Sequence, residues 1–564
     1  MRSFLAAAAG SDARDALAAL TATIAEARSA PPPAWLGTSD PLDLDIGDCG
    51  PELLISCFEA TIEAPKRRRT GSHFTPDRTA AGLVRALDDV APTAEADSIC
   101  DPTVGGGTFL LAALRNAVDA GSDVVVAATR LWGADIDPLA VDVARTVIEL
   151  EAGAPVPGID ERLVVGDSLF DLPWASAPAF GLVIGNPPFL SQLRGAGVRS
   201  AEQNEALARL LDAPMPAYAE TALVFVLRSL ELAADGATVA MIQPQSVLTA
   251  RDNRALRLAA ERVAALRGLW FSAEPVFDAG VRVCAPVFVV GAEPAPLQRW
   301  VSPEITPAAP IDATAPGEWA EAVVDLLGIP TVDLGGARLL GEIADSTAGF
   351  RDEFYAICEV VDEGDAATAN PVITSGLIDP LRNLWGARSA KLGGIRYDRP
   401  VLRSDALDGL EPRIRRWVDA RLVPKVLVAT QTKVIEAVAD PDGTLVPITP
   451  VISVQPAPDD VWMVAAVLSS PPVSAWAARR TIGSALSVDA VKLSAAQLRA
   501  LPLPPPGREL DEAVELARGL SGGSDRRAWE DFGNRMCAVY SVPADDVVPW
   551  WLNRMRWNDE EGDR

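Results

Sequence analysis

Four polar side chains in the first third of the 564-residue sequence each follow a short apolar run: Asp101, Asp135, Asp167 and Asn186. Helical patterns separate these runs, and strands that alternate with helices predict a parallel, doubly wound sheet. Such a sheet binds its ligands at the carboxyl ends of its strands. The spacing therefore predicts that three carboxylates and one carboxamide meet at one edge of an α/β domain, where they can bind a polar ligand.

The loop after the first of these runs reads D-P-T-V-G-G-G, from Asp101 to Gly107. Its glycines, Gly105 among them, let a ligand approach the backbone closely. The loop is not a dinucleotide-binding fingerprint, because Leu110 stands where that motif has its third glycine. A carboxylate at the start of the loop suits a cationic ligand better than a pyrophosphate. A tight turn between a strand and a helix is the alternative interpretation.

The next two acidic strand ends suit the two halves of a nucleoside. Asp135 can accept hydrogen bonds from both hydroxyls of a ribose. Asp137, directly ahead of Pro138, has instead the pattern of a helix N-cap. Asp167 can accept a hydrogen bond from an adenine amino group, although a solvated carboxylate in a loop gives the same pattern.

The fourth run leads into the tetrad N-P-P-F, from Asn186 to Phe189. Pro187 and Pro188 fix the backbone and present carbonyl oxygens without competing amide protons. The Asn186 side chain offers a further acceptor, and Phe189 offers a flat apolar surface. Together these groups can hold an exocyclic amino group while its ring stacks on the phenyl group. A proline-rich turn that ends a strand is the alternative interpretation.

Taken in order, these motifs resemble the gamma class of N6-adenine DNA methyltransferases, a class with type IIG-like members and type I modification subunits. The resemblance extends over residues 50–507 and begins with an F-T-P motif that ends at Pro76. It implies an α/β fold: a Rossmann-like, S-adenosylmethionine-dependent methyltransferase domain followed by a C-terminal α+β target-recognition domain. Double-stranded DNA is the implied partner.

The resemblance implies S-adenosyl-L-methionine as the cofactor and indicates which residues bind it. The implied cofactor-binding residues are Thr75, Pro76, Asp101, Gly105, Gly107, Asp135, Ile136 and Asp167. Thr75 and Pro76 are expected near the methionine carboxylate, and Asp101 is expected near the methionine ammonium group. Ile136 is expected to pack on the adenine ring, between the carboxylates that bind the nucleoside.

The implied catalytic residues are those of the tetrad: Asn186, Pro187, Pro188 and Phe189. The target adenine must leave the duplex, because its N6 atom is inaccessible while the base is stacked. Asn186 and the carbonyl of Pro187 are expected to accept hydrogen bonds from N6 and to direct its lone pair at the sulfonium methyl group. Transfer is direct, without a covalent intermediate. Phe189 is expected to stack on the flipped base, and Phe277 is the candidate for its second face, with core packing as the alternative.

The resemblance and the composition together divide the chain into four predicted parts. These are an N-terminal helical region (1–65), the methyltransferase domain (66–295), a DNA-binding target-recognition domain (317–507) and a helical tail (508–564). Residues 293–316 are rich in proline and alanine and are expected to form the domain boundary. Only about 65 residues precede the catalytic motifs, so methylation without a nuclease in this chain is predicted.

The charge distribution bears on the nature of the partner. The formal net charge of −27 argues against a surface coated with basic residues. Residues 371–507 nevertheless contain 16 Lys and Arg against 12 Asp and Glu. This basic segment includes Arg413, Arg415 and Arg416, and it suits either contacts with phosphate groups or a solvated basic face.

The residue content excludes several other chemistries. The single histidine, His73, excludes most zinc sites and Ser-His-Asp catalysis away from that position, and we predict no metal site. The six cysteines form no C-x-x-C pair, which fits a reducing cytoplasm. No apolar run reaches the roughly 18 residues of a membrane span. We therefore expect a cytoplasmic, nucleoid-associated protein without a membrane partner.

Two other functions stay open on the sequence alone. RNA and protein-glutamine N-methyltransferases use the same tetrad, but about 250 residues follow the catalytic domain here and suit DNA recognition. A non-catalytic subunit of a DNA-defence complex is the other alternative, although the intact carboxylates and Asn186 argue against it. A separate restriction endonuclease or defence-system subunit also stays open as a partner.

Overall fold

The computed structural model of the chain describes most of its residues. These are residues 12–44, 46–47, 49–62, 75–189, 205, 220–277, 281–403, 405, 408–484, 489–523 and 525–556. The chain divides into two compact units, Met1–Ala322 and Val323–Arg564. His73 and Phe74, which precede Thr75 in the sequence, lie outside the described residues.

Within the described residues, the first unit is built around a ten-stranded sheet. Its strands are β1 (Ile99–Asp101), β2 (Leu131–Asp135), β3 (Leu163–Val165), β4 (Phe180–Gly185), β5 (Ala233–Met241), β6 (Gln243–Pro244), β7 (Ala264–Phe271), β8 (Val283–Val290), β9 (Leu297–Val301) and β10 (Thr306–Ile311). The spatial order is β10-β9-β7-β8-β5-β4-β1-β2-β3, and β6 pairs with β8. The predicted α/β architecture is confirmed.

The strands that carry the predicted site residues run parallel to one another. Strand β1 lies between β2 and β4, and Cys100 pairs with Trp132 on one side and Val183 on the other. Strand β2 pairs with β3, and β4 pairs with β5, in the same parallel sense. The carboxyl ends of β1, β2, β3 and β4 therefore lie along one edge of the sheet, as the sequence predicts.

The other half of the sheet is mixed and extends past the predicted domain boundary. Strand β8 runs antiparallel to both β5 and β7, and β10 runs antiparallel to β9. Residues 293–316, which the sequence predicts to form the domain boundary, thus contribute two strands to this sheet. Strand β10 contains Pro307 and Pro310, which an edge strand tolerates because one of its sides has no partner strand.

The helices of the first unit are α1 (Ala13–Ala27), α2 (Glu52–Thr61), α3 (Asp77–Leu87), α4 (Thr108–Asp119), α5 (Val124–Ala128), α6 (Pro138–Ala152), α7 (Ile159–Arg162), α8 (Thr221–Leu232) and α9 (Arg254–Glu261). The N-terminal helices α1 and α2 share one hydrophobic core with α6, where Leu17, Phe58 and Val141 are buried together. Arg115 of α4 adds ion pairs of 2.8 Å to Glu52 and Glu151. The N-terminal helices therefore share the hydrophobic core of the first unit.

The second unit contains short strands in several small sheets. They are β11 (Ala344–Ala348), β12 (Val361–Glu363), β13 (Asn370–Ile373), β14 (Ile378–Asp379), β15 (Arg382–Asn383), β16 (Ala390–Leu392), β17 (Ile395–Tyr397), β18 (Pro400–Leu402), β19 (Lys425–Val428), β20 (Ala437–Asp440), β21 (Val446–Pro447) and β22 (Ile452–Pro456). One four-stranded sheet has the order β11-β22-β19-β20, and another has the order β12-β18-β13-β21. Antiparallel pairing dominates, and the β13–β21 pair is parallel.

Helices complete the second unit and give it the predicted α+β character. They are α10 (Arg351–Cys358), α11 (Pro412–Asp419), α12 (Val461–Leu468), α13 (Pro471–Arg480), α14 (Ala495–Arg499), α15 (Arg508–Leu520), α16 (Arg526–Val539) and α17 (Ala544–Leu552). The last three belong to the predicted helical tail, where Trp529, Phe532 and Trp551 form a buried aromatic cluster.

No single helix among the described residues is both long and apolar enough to cross a membrane. The pair Pro458–Leu468 and Pro471–Arg480 meets the length and composition criteria only when taken together, and a bend of 68° separates its halves. Most side chains of this pair are buried within the second unit.

Candidate active site

Direct hydrogen bonds join the loops that follow β1 and β2. The carboxylate of Asp135 accepts a hydrogen bond of 3.0 Å from the backbone amide of Gly105 and one of 2.9 Å from the amide of Asp137. The amide of Val104 also donates to the carbonyl of Ala134 at 2.9 Å. The predicted ribose and methionine motifs therefore form one structure at the edge of the sheet.

The Asp101 carboxylate is almost completely buried, with 2% of the residue exposed. Its Oδ1 atom accepts a hydrogen bond of 2.9 Å from the amide of Thr103, which closes the turn after β1. Burial raises the pKa of Asp101 to about 7; the amide of Thr103 opposes the shift, and the charge of Asp135 adds to it. A cation beside this carboxylate would relieve the cost of its burial.

The glycines of the loop are required by close approaches on both of its sides. Gly107 caps the N-terminus of α4 with a positive φ of 95°. A Cβ atom at Gly107 would stand 3.2 Å from the Cα atom of Ala144 in α6. A Cβ atom at Gly106 would stand 3.0 Å from Ile55 in α2. Helices α2 and α6 therefore pack directly on this loop, which leaves no room for side chains there.

Two apolar side chains are exposed at the ends of β2 and β3. Ile136 is 70% exposed, and Val165 is 50% exposed. Asp135, which precedes Ile136, pairs with Val165 in the sheet, so both apolar side chains lie at the same edge. Burial raises the pKa of Asp135, while the amides of Asp137 and Gly105 oppose this shift. The sequence interpretation included Ile136 but missed Val165, whose apolar side chain directly precedes the G-D-S turn.

Asp137 is the N-cap of α6, as one interpretation of its pattern predicted. Its side chain accepts a hydrogen bond of 3.0 Å from the amide of Leu139, and Pro138 occupies the first turn. Asp135 is therefore the acidic residue of this pair that faces the loop of Gly105.

The loop that carries Asp167 is tied to the loop that follows β1. Asp167 accepts a hydrogen bond of 3.0 Å from the amide of Leu169, and the Ser168 hydroxyl donates to the carbonyl of Pro102. Arg228 of α8, only 9% exposed, donates to the carbonyls of Ser168 and Asp171, each at 3.0 Å. The sequence interpretation missed Arg228, although a single arginine in the apolar helix T-A-L-V-F-V-L-R-S-L-E-L indicates a buried polar role.

The Asn186 carboxamide is hydrogen-bonded to Thr75, a residue of the F-T-P motif with which the order of motifs begins. The Nδ2 atom of Asn186 donates a hydrogen bond of 3.1 Å to the Oγ1 atom of Thr75. Pro76 follows as the N-cap residue of α3, and its carbonyl accepts from the amide of Thr79 at 2.9 Å. The first predicted cofactor motif and the predicted catalytic tetrad are therefore in direct contact.

Phe189 and Phe277 lie close together although 87 positions separate them in the sequence. Their ring centroids are 6.2 Å apart, and the ring planes are inclined by 52°. Phe277 is 7% exposed and belongs to the core of the unit, against which Phe189 is packed. Both interpretations of Phe277 therefore agree with its position, because it is buried in the core and faces the aromatic ring of the tetrad.

The basic segment of the second unit contains several ion pairs. Arg415 bonds to Asp408 at 2.8 Å and to Asp419 at 2.9 Å, and Arg413 lies over the ring of Phe350 at 4.5 Å. Arg416 donates to the carbonyl of Pro412 at 3.1 Å. The three arginines of α11 thus all have partners within the second unit, and these contacts use part of the local excess of basic residues.

No group of three or more His, Cys, Asp or Glu side chains in the described part of the chain is arranged to hold a metal ion. The predicted site instead consists of carboxylates, backbone amides, glycines and one carboxamide at the edge of a parallel sheet. With its order of strands and motifs, this arrangement defines the domain as a Rossmann-like methyltransferase.

The family described as N-6 DNA Methylase matches residues 52–258, which include all of the predicted cofactor motifs and the tetrad. Residues 52–258 are thus similar to the N-6 DNA methylases, and the predicted resemblance to adenine-modifying enzymes of restriction–modification systems is confirmed. No curated protein sequence matches the chain.

Two solved structures of protein–DNA complexes are similar to this chain at low sequence identity. The type IIL enzyme MmeI in complex with DNA is 12% identical and has a TM-score of 0.59, over 91% of this chain and 82% of MmeI. The DrdV–DNA complex is 12% identical with a TM-score of 0.49, over 84% of this chain and 59% of DrdV. At 12% identity, the similarity to MmeI shows a shared fold.

Proposed function

We propose that this chain is a site-specific adenine DNA methyltransferase. It transfers a methyl group from S-adenosyl-L-methionine to N6 of an adenine flipped out of double-stranded DNA. The observation that carries the proposal is the position of the Asn186 carboxamide, which follows β4 beside the buried loop of Asp101. A methyl donor held at that loop and an amino group held at Asn186 would meet at the same edge of the sheet.

The residues at the carboxyl ends of the parallel strands have the charge and polarity needed to bind S-adenosylmethionine. The buried carboxylate of Asp101 suits the ammonium group, which would stabilise its ionised form. A Cβ atom at Gly105 would have no atom within 4 Å, so the bare backbone there leaves room for the methionine part, near Thr75 and Pro76. Gly107 shapes the same loop by allowing α6 to pack against it. Asp135 suits the ribose hydroxyls, the exposed side chain of Ile136 suits the adenine ring, and Asp167 suits its amino group.

In the proposed reaction, the chain acts by positioning and by hydrogen bonding. The bound cofactor supplies an electrophilic methyl group on a sulfonium. Asn186 Oδ1 and the carbonyl of Pro187 accept hydrogen bonds from N6, which turns its lone pair toward that methyl group. Pro188 keeps the turn rigid. Phe189 stacks on the flipped base, and Phe277 supports the opposite face.

The two aromatic rings must adjust when a base enters. Stacking a base between two rings needs about 3.4 Å on each side and nearly parallel planes, whereas Phe189 and Phe277 are inclined by 52°. A base stacked on both sides needs about 6.8 Å between the rings, whereas the centroids are 6.2 Å apart, so base entry requires the rings to move apart as well as to rotate. Base–aromatic stacking of about 1–3 kcal/mol would favour this rotation.

We assign target recognition to residues 317–507, whose α+β fold supports a role different from catalysis. The match to N-6 DNA methylases supports duplex DNA as the substrate in preference to RNA or a protein glutamine. We further propose modification without a nuclease in this chain, in the cytoplasm at the nucleoid. A separate restriction endonuclease or defence-system subunit is a candidate partner.

Expression in a bacterial host without adenine methylation tests the proposed function. We expect modification-sensitive long-read sequencing of the host DNA to show N6-methyladenine at one short motif. Asn186→Ala should abolish this mark, whereas Asn116→Ala, in a surface position of α4, should keep it. A soluble wild-type chain that binds S-adenosylmethionine but leaves DNA unmethylated would contradict the proposal; RNA substrates would then be tested.

A further inference from the structure

Strands β16 and β17 of the second unit form a β-hairpin with a two-residue turn. Antiparallel pairing places Lys391 opposite Arg396 and Leu392 opposite Ile395. The turn consists of two glycines, 393 and 394, whose φ angles of 57° and 91° are both positive, as a type I′ turn requires. The register of the hairpin therefore fixes the face on which each side chain lies.

One face of this hairpin is anchored in the unit. Leu392 is 2% exposed and belongs to a core cluster that includes Ile357 of α10. Ile395 shares this face but directly follows the turn, and it is 59% exposed. No large apolar side chain among the described residues of the second unit is more exposed. The anchored strand thus holds an apolar group in solvent, next to the turn.

The other face of the hairpin has two cations without an anion between them. Lys391 and Arg396 are both exposed, and neither forms an ion pair with any residue that the structure describes. Like charges directly opposite each other in an antiparallel pair are destabilising. The three arginines of α11, in contrast, all have partners within the unit. A cation pair that is unfavourable in the free chain suits an anion that a partner supplies.

The hairpin also lies in a strongly basic stretch of an acidic protein. Residues 381–403 contain six Lys and Arg against a single Asp, whereas the whole chain has a net charge of −27. Such a stretch attracts a polyanion. The major groove of B-DNA, about 12 Å wide, admits a two-stranded β-ribbon. Duplex DNA therefore matches both the charge and the shape of this hairpin.

We propose that the hairpin of β16 and β17 enters a groove of the DNA duplex; this inference rests on the proposed function. Lys391 and Arg396 bind phosphate groups, and Ile395, next to the turn, contacts the edges of bases. The two cations contribute affinity, because phosphate contacts carry no sequence information. Ile395 contributes discrimination, because base edges differ in the apolar groups that they present, such as the thymine methyl group.

The salt dependence of DNA binding tests the role of the two cations. Fluorescence anisotropy gives the Kd for a duplex that contains the motif found by sequencing and for a duplex without it. In the double variant Lys391→Gln, Arg396→Gln, we expect the slope of log Kd against log salt concentration to fall by about 2. Both duplexes should bind more weakly by a similar factor, on the order of tenfold.

A matched control distinguishes contacts of the hairpin from a general effect of charge. Arg508→Gln removes an arginine of α15 that is 90% exposed, and it should keep the wild-type slope. An unchanged slope in the double variant would overturn the inference, as would an equal fall of the slope in Arg508→Gln.

The ratio of the two Kd values tests the role of Ile395. Ile395→Ser should reduce the preference for the motif by about fivefold or more, as the loss of one base-pair contact does, and it should keep the salt slope. Leu516→Ser, at a leucine of α15 that is 39% exposed, should leave the preference unchanged. An unchanged preference in Ile395→Ser would refute its contact with bases.

Melting temperatures separate weaker DNA binding from loss of structure. Lys391, Ile395 and Arg396 are exposed, so their substitution should change the Tm of the free chain by less than about 3 °C. Loss of the like-charge pair should not lower this Tm at all, because its repulsion is removed. A large fall in Tm for the double variant would show that these cations serve the fold, which would overturn the inference.

Failure of this inference can be told apart from failure of the proposed function. If the wild-type chain methylates DNA and the hairpin variants bind both duplexes as the wild type does, only the role of the hairpin is refuted. If the wild-type chain methylates no DNA although it binds S-adenosylmethionine, the proposed function is refuted and the inference falls with it.

Discussion

Gly185 packs directly against the carboxylate of Asp101, on the neighbouring strand of the sheet. A Cβ atom at Gly185 would stand 2.4 Å from Asp101 Oδ1 and 3.0 Å from its Cγ atom. Because Gly185 directly precedes Asn186, the carboxylate at the end of β1 supports the backbone that leads into the tetrad. A larger side chain at Gly185 must therefore displace the Asp101 carboxylate, and a substitution of Asp101 must alter the packing of the backbone that precedes Asn186.

We therefore expect Gly185→Ala to impair both cofactor binding and methylation. The added methyl group must displace a buried carboxylate or the backbone before Asn186, and overpacking of this kind costs about 1–3 kcal/mol. This corresponds to about a 5- to 150-fold rise in the Kd for S-adenosylmethionine, measured by calorimetry. Gly181→Ala in the same strand is the matched control, because its Cβ atom would meet Ala96 at an ordinary 3.4 Å. Equal Kd values for the two variants would contradict the expectation.

The pKa of Asp101 predicts how the stability of the cofactor-free chain changes with pH. Burial raises this pKa to about 7, compared with roughly 4 in an unfolded chain. Because the folded value is the higher one, the carboxyl contributes its stabilisation below pH 4, and the contribution is lost as the pH rises through 7. A difference of three units corresponds to about 4 kcal/mol.

Thermal unfolding between pH 5 and pH 8 tests this dependence. With rising pH, the Tm of the wild-type chain should fall relative to that of Asp101→Asn, which cannot ionise. Saturating S-adenosylmethionine should raise the wild-type Tm more at pH 8 than at pH 5, because its ammonium group favours the ionised carboxylate. Parallel Tm curves for the two cofactor-free chains would show that Asp101 does not titrate in this range.

Arg228 should affect cofactor binding without touching the cofactor. Arg228→Met removes two donors and leaves the buried carbonyls of Ser168 and Asp171 without them, at about 1–3 kcal/mol for each group. We expect the loop of Asp167 to loosen and the Kd for S-adenosylmethionine to rise about tenfold. Glu231→Gln is the control, since this carboxylate bonds to the same arginine but is half exposed. An unchanged Kd for S-adenosylmethionine in Arg228→Met would show that Arg228 does not support cofactor binding.

The second unit contains a buried ion pair between Lys425 of β19 and Asp440 of β20. Lys425 is completely buried, and Asp440 also accepts from the amides of Thr444 and Leu445 at 3.1 and 3.0 Å. Burial lowers the pKa of Lys425, while the charge of Asp440 opposes the shift. The pair thus depends on both partners, since either one alone would be an unpaired charge in the interior.

Lys425→Met should therefore destabilise the second unit by about 3–5 kcal/mol, because it leaves the carboxylate of Asp440 buried without its cation. Calorimetry should show a fall in Tm of about 6–20 °C for the transition of this unit. Lys433→Met removes an exposed lysine that bonds to Asp489 at 3.2 Å, and it should change stability by less than about 1 kcal/mol. If both variants melt alike, the buried pair does not stabilise the unit.

Sequence reasoning was most successful where local patterns are enough to define an element. The run Leu163–Val165 was predicted as a strand and is one, and Asp137 caps α6 as its position before Pro138 predicts. The relationships within the site could not be derived in this way. The contact of Thr75 with Asn186 depends on how distant segments meet in the folded chain, and no local pattern encodes it.

The strands β9 and β10 were missed for a different physical reason. Proline and alanine are rare in strands, so Thr306–Ile311, which contains two of each, is typical of a linker. An edge strand relaxes this rule, because half of its backbone groups need no partner strand. Arg228 was missed because a charged residue in a helix is ordinarily solvated, although the mostly apolar residues around it in α8 are a signal for burial.

Strands β9 and β10 also decide where the chain can be recombined with its relatives. A crossover at residue 295 would separate Trp300, which is fully buried and donates to Asp89 at 3.0 Å, from the sheet that it covers. A crossover after Ala322 keeps Trp300, and it keeps the bond of 3.0 Å from Arg299 to the Ala322 carbonyl. Chimeras joined at that point would exchange the second unit, Val323–Arg564, as a complete module.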